Sequence, residues 1–220
     1  MHLITAQEIY ENPDIRTYIE KGNEILGEIG YTEHGFAHAQ RCAHYAEKIL
    51  NSLEYDARTC ELAAIAGFMH DIGNVINRAD HAHNGAAMAF TILNKLGMDA
   101  SEIASVCSAI GYHDEKTAHP VNPVAAALIL SDKSDVRRTR VRNAHFETDI
   151  HDRVNYAVVH SDLVINPQEK LCVFNITIDT QICPVMEYFE IFLERMVLCR
   201  KSAEYLGLVF ELIINKTRLL

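Results

Sequence analysis

Before residue 145 the apolar positions recur mostly at spacings of three and four, the signature of helices with one buried face. Thr5 with Glu8 forms a capping-box pair that opens a first helix. Asn12-Pro13 opens a second, which turns Ile15, Ile19 and Leu26 inward and ends near Gly30. A third is predicted from about Gly35 to Asn51, with His38, Cys42, Tyr45 and Ile49 on one face. The run AAIAGFMHDIGN, Ala63 to Asn74, is small and apolar up to His70-Asp71. It predicts a buried helix, with Gly73 placed to stop it. Gly85, Ala86, Ala87 and Ala89 mark a close-packed helix that ends at Gly97. Asp99 with Glu102 opens another, whose apolar face of Ile103, Val106 and Ile110 continues to His113. Asn122-Pro123 opens a helix that aligns Val124, Leu128 and Asp132.

At about Thr148 the pattern changes. VNYAVVHSDLVI and LCVFNITID are rich in β-branched and aromatic residues, with Asn166-Pro167 between them, and predict a β-hairpin. Cys183-Pro184 opens a helix through Leu206 that carries Tyr188, Phe192, Met196 and Cys199 in one row, and LVFELIIN predicts a third strand. The fold class is therefore mainly α, a helical domain over 1–147 followed by a small α+β unit, β-β-α-β, over 148–220. Strand edges left unpaired predict a homodimer through this unit. The chemistry is expected in the first 145 residues.

Composition narrows the function. The chain has 220 residues, 49% of them hydrophobic, and a formal net charge of -10. That excludes a nucleic-acid clamp, which needs clustered cations. Arg137, Arg138, Arg140 and Arg142 are a local exception, either a solvated face or an attractor of an anionic ligand. No run of apolar residues is long enough to span a membrane, and the N-terminus lacks signal-peptide regions. A cytoplasmic protein is expected, with its six cysteines reduced and buried.

The 12 histidines fall largely between residues 34 and 119. Singly, each has an ordinary explanation. His38 reads as a hydrogen-bonded core residue, His81 and His83 as part of a solvated loop, and Asp132 as a helix-rim carboxylate. Together, five segments aim His38, His70-Asp71, His81, His113 and Asp132 at one buried place, as bundle interiors do when they hold metals. Nitrogen and oxygen donors without cysteine suit one or two ions of Fe, Mn, Co, Ni, Zn or Mg.

The order His38, His70-Asp71, Asp132, with the flanks HGFAHAQR and LILSDKSD, resembles the HD-domain metal-dependent phosphohydrolases. The resemblance spans roughly residues 30 to 145 and implies an HD-type helical bundle. The intervening histidines in HAHNGA and GYHDE resemble the subset that holds two metals. His81, four residues before Gly85, is implied as a ligand in preference to His83, and His113 as another. His34, four before His38, corresponds to an extra ligand or a phosphate contact. The Gly-Tyr-Pro motif of the cyclic-dinucleotide branch is missing from HDEKTAHPVNP. The implied activity is hydrolysis of a small phosphorylated compound, nucleotides included, by a metal-activated water. Asp71 is the catalytic bridging carboxylate, and Arg41 and Lys133, with His34, are the substrate-binding residues. Two other readings are a nucleotide-sensing module without turnover and a di-iron oxygenase.

Overall fold

A computed structural model describes residues 3–220. The helices are α1 (Ala6–Glu11), α2 (Pro13–Glu28), α3 (Phe36–Ser52), α4 (Ala57–Met69), α5 (His81–Leu96), α6 (Ala100–Gly111), α7 (Pro123–Lys133), α8 (Ile150–Ala157) and α9 (Val185–Tyr205). The strands are β1 (Val158–Asn166), β2 (Leu171–Ile178), β3 (Val209–Ile214) and the short β4 (Thr217–Arg218). A mainly helical domain is thus followed by a small sheet with its own helices, and the expected fold class stands. Among the described residues no helix is long and apolar enough to cross a membrane.

The predicted starts are built as read. Thr5 and Glu8 cap α1 reciprocally, and the Asn12, Asp99 and Asn122 side chains accept from backbone N–H groups at the starts of α2, α6 and α7. α4 and α7 are buried nearly all round, and they form the centre against which α3, α6 and α9 pack.

Two glycines set close approaches rather than turns. A Cβ on Gly67 would lie 2.7 Å from both Cα and N of Ala43, so α3 and α4 meet backbone to backbone. This seam brings His38 beside His70. Gly73 does not stop α4 through a left-handed conformation. The helix ends at Met69, and a tight 3-10 turn, Ile72–Val75, follows. A Cβ on Gly73 would collide with the His81 carbonyl and lie 2.5 Å from the Gly85 nitrogen, so this glycine seats the turn on α5. Gly67→Ala is expected to destabilise the protein by about 1–3 kcal/mol, the usual scale of overpacking. It should also weaken metal binding by moving His38 from His70. Urea unfolding and chelator competition check both, and an unchanged midpoint would reject the seam.

Two predicted elements differ. The helix from Pro123 ends at Lys133, and Arg140 is buried rather than on a solvated face. Its guanidinium donates to the carbonyls of Glu33 and Asp135 at 2.8 Å each. The first four residues of the predicted strand VNYAVVHSDLVI, Val154–Ala157, instead close the helix α8, which Asp149 caps by accepting from the His151 and Asp152 N–H groups. Burial of Val154 and Ala157 on that helix outweighs the local strand preference. β1 begins only at Val158. The sheet order is β1-β2-β3-β4, with β1–β2 and β3–β4 antiparallel and β2–β3 parallel across α9. The row Tyr188, Phe192, Met196 and Cys199 is buried. All six cysteines are free thiols, five of them buried.

Candidate metal centre

Four imidazoles from four helical segments converge. His38 comes from α3, His70 from the end of α4, His81 from the first residue of α5 and His113 from just beyond α6; all four are buried. In each the Nδ1 faces an acceptor: Asp135 Oδ2 at 2.7 Å for His38, Gly67 O at 2.8 Å for His70, Arg78 O at 3.1 Å for His81 and Ile110 O at 2.6 Å for His113. Each Nδ1 therefore carries a proton and each ring turns its Nε2 inward, where a neutral ring offers a lone pair. Those nitrogens meet: His38 Nε2 is 3.2 Å from His70 Nε2, and His81 Nε2 is 3.2 Å from His113 Nε2.

Asp71 lies between the two pairs. Its Oδ2 is 3.7 Å from His38 and 3.4 Å from His70. Its Oδ1 is 3.5 Å from His81 and 3.9 Å from His113. Asp132 Oδ1 is 3.3 Å from His38 and 3.8 Å from His70. Asp71 Oδ2 is buried without a hydrogen-bond partner. Four inward Nε2 atoms, an orphaned carboxylate oxygen and a second, partly buried carboxylate crowd together, an arrangement that a cation among them would relieve. The donor set fits a divalent metal: His38, His70 and Asp132, with the Cys42 thiol beside them, form one group of ligand atoms close enough to share an ion, and His70, Asp71 and His113 form another.

Titration of the metal-free cluster follows the same demand. Burial raises the carboxyls of Asp71 and Asp132, but His70 beside the first and Lys133 beside the second outweigh it and hold both well below the usual range. Burial lowers His70, but Asp71 and Asp132 outweigh it and draw a proton there. His113 lies well below the ordinary value through burial and His70, as does His34 through burial and Arg140. Burial also lowers His81. For these three the unfolded chain binds more protons than the native state, so their contribution to stability is present above the unfolded value near 6.5 and is lost as pH falls through it. His70 acts in the opposite sense. The metal-free protein is therefore expected to lose stability between pH 7 and 5, and urea midpoints across that range check it. A midpoint that rises on acidification would reject the neutral assignment.

Asp71, His81, His113 and Asp132 of this cluster line a cavity of about 420 Å³. His34 lines it, with its Nδ1 2.7 Å from the Thr32 carbonyl and its other nitrogen left as an acceptor. Lys133 lines it too, 2.7 Å from Asp132 and 3.4 Å from Glu115. Arg41 does not. Its Nε lies 3.0 Å from Asp135 and its Nη2 donates to the Ser161 carbonyl, so it lines a separate groove beside β1. The α3 face on which it sits points away from the cavity. His83 is exposed.

The structure adds residues that the sequence did not single out. Asp135 orients His38. It stands three residues after Asp132, a spacing visible in LILSDKSD. Arg78 from the turn before α5 and Arg195 from α9 supply cations to the cavity. Glu115 joins Arg195 Nε at 2.6 Å to Lys133. No local signal marks Arg195. Cys42 Sγ lies 3.7 Å from the His38 ring nitrogens, but burial and Asp132 hold its thiol protonated. The C-terminal unit also lines the cavity through α8 and α9, so the expectation that the chemistry stays before residue 145 is corrected.

The HD domain family model matches residues 35–143, the span that carries His38, His70, Asp71, His81, His113 and Asp132. This chain belongs to the HD-domain superfamily. It is 26% identical to an uncharacterized protein of Methanocaldococcus jannaschii, over 40% of this chain, and it spans 40% of that relative's length. A crystal structure of a predicted HD superfamily hydrolase from an uncultured Thermotogales bacterium is 27% identical, with a TM-score of 0.45, over 61% of this chain and 75% of that one. The HD dipeptide itself is His70-Asp71, where α4 gives way to the 3-10 turn.

Proposed function

We propose that this protein is a metal-dependent phosphohydrolase that acts on a small phosphorylated compound. The observation that carries the reading is the division of Asp71 between two imidazole pairs at the floor of a cation-lined cavity. His38, His70, Asp132 and Asp71 Oδ2 would hold one metal ion, and His81, His113 and Asp71 Oδ1 a second. Bound metal supplies a hydroxide nucleophile near neutral pH and neutralises charge on the phosphoryl oxygens. The chain's own part is to bind and orient. Lys133 and Arg195, held together by Glu115, present a point charge and a fork to a phosphate. His34 offers an acceptor to a bound water.

The test is the purified protein loaded with Mn, Fe, Co, Ni, Zn or Mg and assayed on a panel of phosphomonoesters and phosphodiesters. Metal-dependent release of phosphate or of a phosphomonoester is expected. A metal-loaded protein that binds nucleotides but hydrolyses nothing would be a sensing module instead. Oxygen uptake with an iron-linked absorption band would point to an oxygenase. The outer strand β1 leaves Val159 and Val164 exposed, and we propose that two copies pair there. Sedimentation of the full chain at monomer mass would remove that part.

A further inference from the structure

The lining of the cavity combines two chemistries. It offers cations, Arg78, Lys133, Arg140 and Arg195. α8 with its cap adds acceptors, Asp149, Asp152 and Asn155, with the His151 imidazole 3.7 Å from Asp149. Asp152 is only 6% exposed, and its side-chain partner is an amide, Asn143. Among the described residues no Lys or Arg pairs with it, and among titratable groups only the neighbouring His151 imidazole favours its ionised form; Arg153 is taken by Glu187 at 2.8 Å. Asn155, equally buried, spends its amide N–H on the His151 carbonyl at 2.8 Å and keeps its oxygen as an acceptor. A buried carboxylate that lines a cavity with no Lys or Arg paired to it is costly unless a ligand donates to it. At about 420 Å³ the cavity also lies within the range of sites that enclose a small organic molecule, beyond the needs of a phosphate alone.

The phenyl and phenol rings that line the cavity argue against a sandwiched nucleobase. Arg78 lies over Tyr31 at 5.4 Å, and Arg195 lies over Phe192 at 4.4 Å. Phe192 is 1% exposed. No pair of open ring faces remains to sandwich a base.

We infer that the site takes a phosphoester of a polyhydroxylated alcohol, a sugar or polyol phosphate. Its phosphate lies against Lys133 and Arg195, and its hydroxyls donate to Asp149, Asp152 and Asn155. The inference rests on the phosphohydrolase reading above and names its substrate class. In the hydrolysis the water oxygen forms the new P–O bond and the P–O bond to the sugar oxygen breaks. That oxygen leaves with a proton from the water. α8 thereby selects the leaving group, and a site built to bind hydroxyls discriminates against analogues that lack them.

The experiment compares kcat/KM of the metal-loaded full chain on glucose 6-phosphate, ribose 5-phosphate, uridine 5′-monophosphate and p-nitrophenyl phosphate. The wild type is expected to favour the sugar phosphates over p-nitrophenyl phosphate at least about tenfold. Asp152→Asn should reduce that preference at least about tenfold, mainly through KM for the sugar phosphate. Asn155→Leu, which removes an acceptor without burying a new charge, is read in parallel and should shift the ratio the same way. Equal rates on p-nitrophenyl phosphate and sugar phosphates in the wild type would overturn the inference while leaving the phosphohydrolase reading intact. So would a ratio that survives both substitutions, or a preference for the nucleotide over both sugar phosphates. Absence of hydrolysis on every phosphate with metal bound would overturn the phosphohydrolase reading and this inference together.

Discussion

Asp71→Ala is expected to remove metal from the protein and to lower phosphoester hydrolysis roughly 10³-fold or more, the scale of losing a preorganised charge from a reaction site. No other side chain in the cluster faces both imidazole pairs. Oδ2 faces His38 and His70 while Oδ1 faces His81 and His113. Without it, the second pair keeps no carboxylate, because Asp132 reaches only His38 and His70. The carboxyl is ionised across the neutral range, held there by His70 against the opposing effect of burial. Replacement by the amide keeps the shape and loses the charge, so Asp71→Asn should behave almost as badly. Elemental analysis of protein purified without chelator, alongside the phosphate panel, checks the pair. Full metal retention in Asp71→Ala, or activity within tenfold of wild type, would reject the bridging role.

Asp135→Asn should lower metal affinity about 10–100-fold, as loss of a partner that orients a histidine ligand commonly does. It should also destabilise the fold by about 3 kcal/mol, because it removes a fully buried carboxylate whose closest guanidinium partners, Arg41 and Arg137, are themselves only partly exposed. Asp135 has no exposed side-chain surface. It accepts from His38 Nδ1 at 2.7 Å, and from Arg137 at 2.5 and 2.9 Å, with Arg41 Nε at 3.0 Å. Arg140 closes the group at 3.6 Å. An amide satisfies His38 with its oxygen but turns an N–H₂ toward the guanidinium groups. The result is an uncompensated cationic cluster behind a metal ligand. The readouts are chelator competition for the metal and urea unfolding of the metal-free protein. A metal affinity equal to wild type would show that His38 is positioned by packing alone.

Much of this protein is legible locally. Capping pairs and N-terminal prolines mark where α1, α2, α6 and α7 begin, because those signals act within one turn. The inward aim of His38, His113 and Asp132 follows from helical periodicity alone. The ordered set of histidines and aspartates, with its flanks, is enough to suggest the HD-domain superfamily. Other features depend on which elements meet. The segment VNYAVVHSDLVI reads as one strand, yet its first four residues belong to a helix that Asp149 caps and that burial of Val154 and Ala157 holds. Arg41 sits one position off the apolar face of α3, and only packing against the loop after α7 and against β1 turns it to Asp135 and Ser161. Gly73 reads as a helix stop, but the approach of α5 gives it another task. Arg195 and the α8 wall reach the cavity from the far end of the chain. By itself the sequence determined the ligand types and the helix faces that carry them, because both are set by neighbours three or four residues away. The tertiary structure alone decided which oxygen of Asp71 faces which histidine pair and which residues close the cavity above it, because those distances depend on how helices far apart in the chain pack.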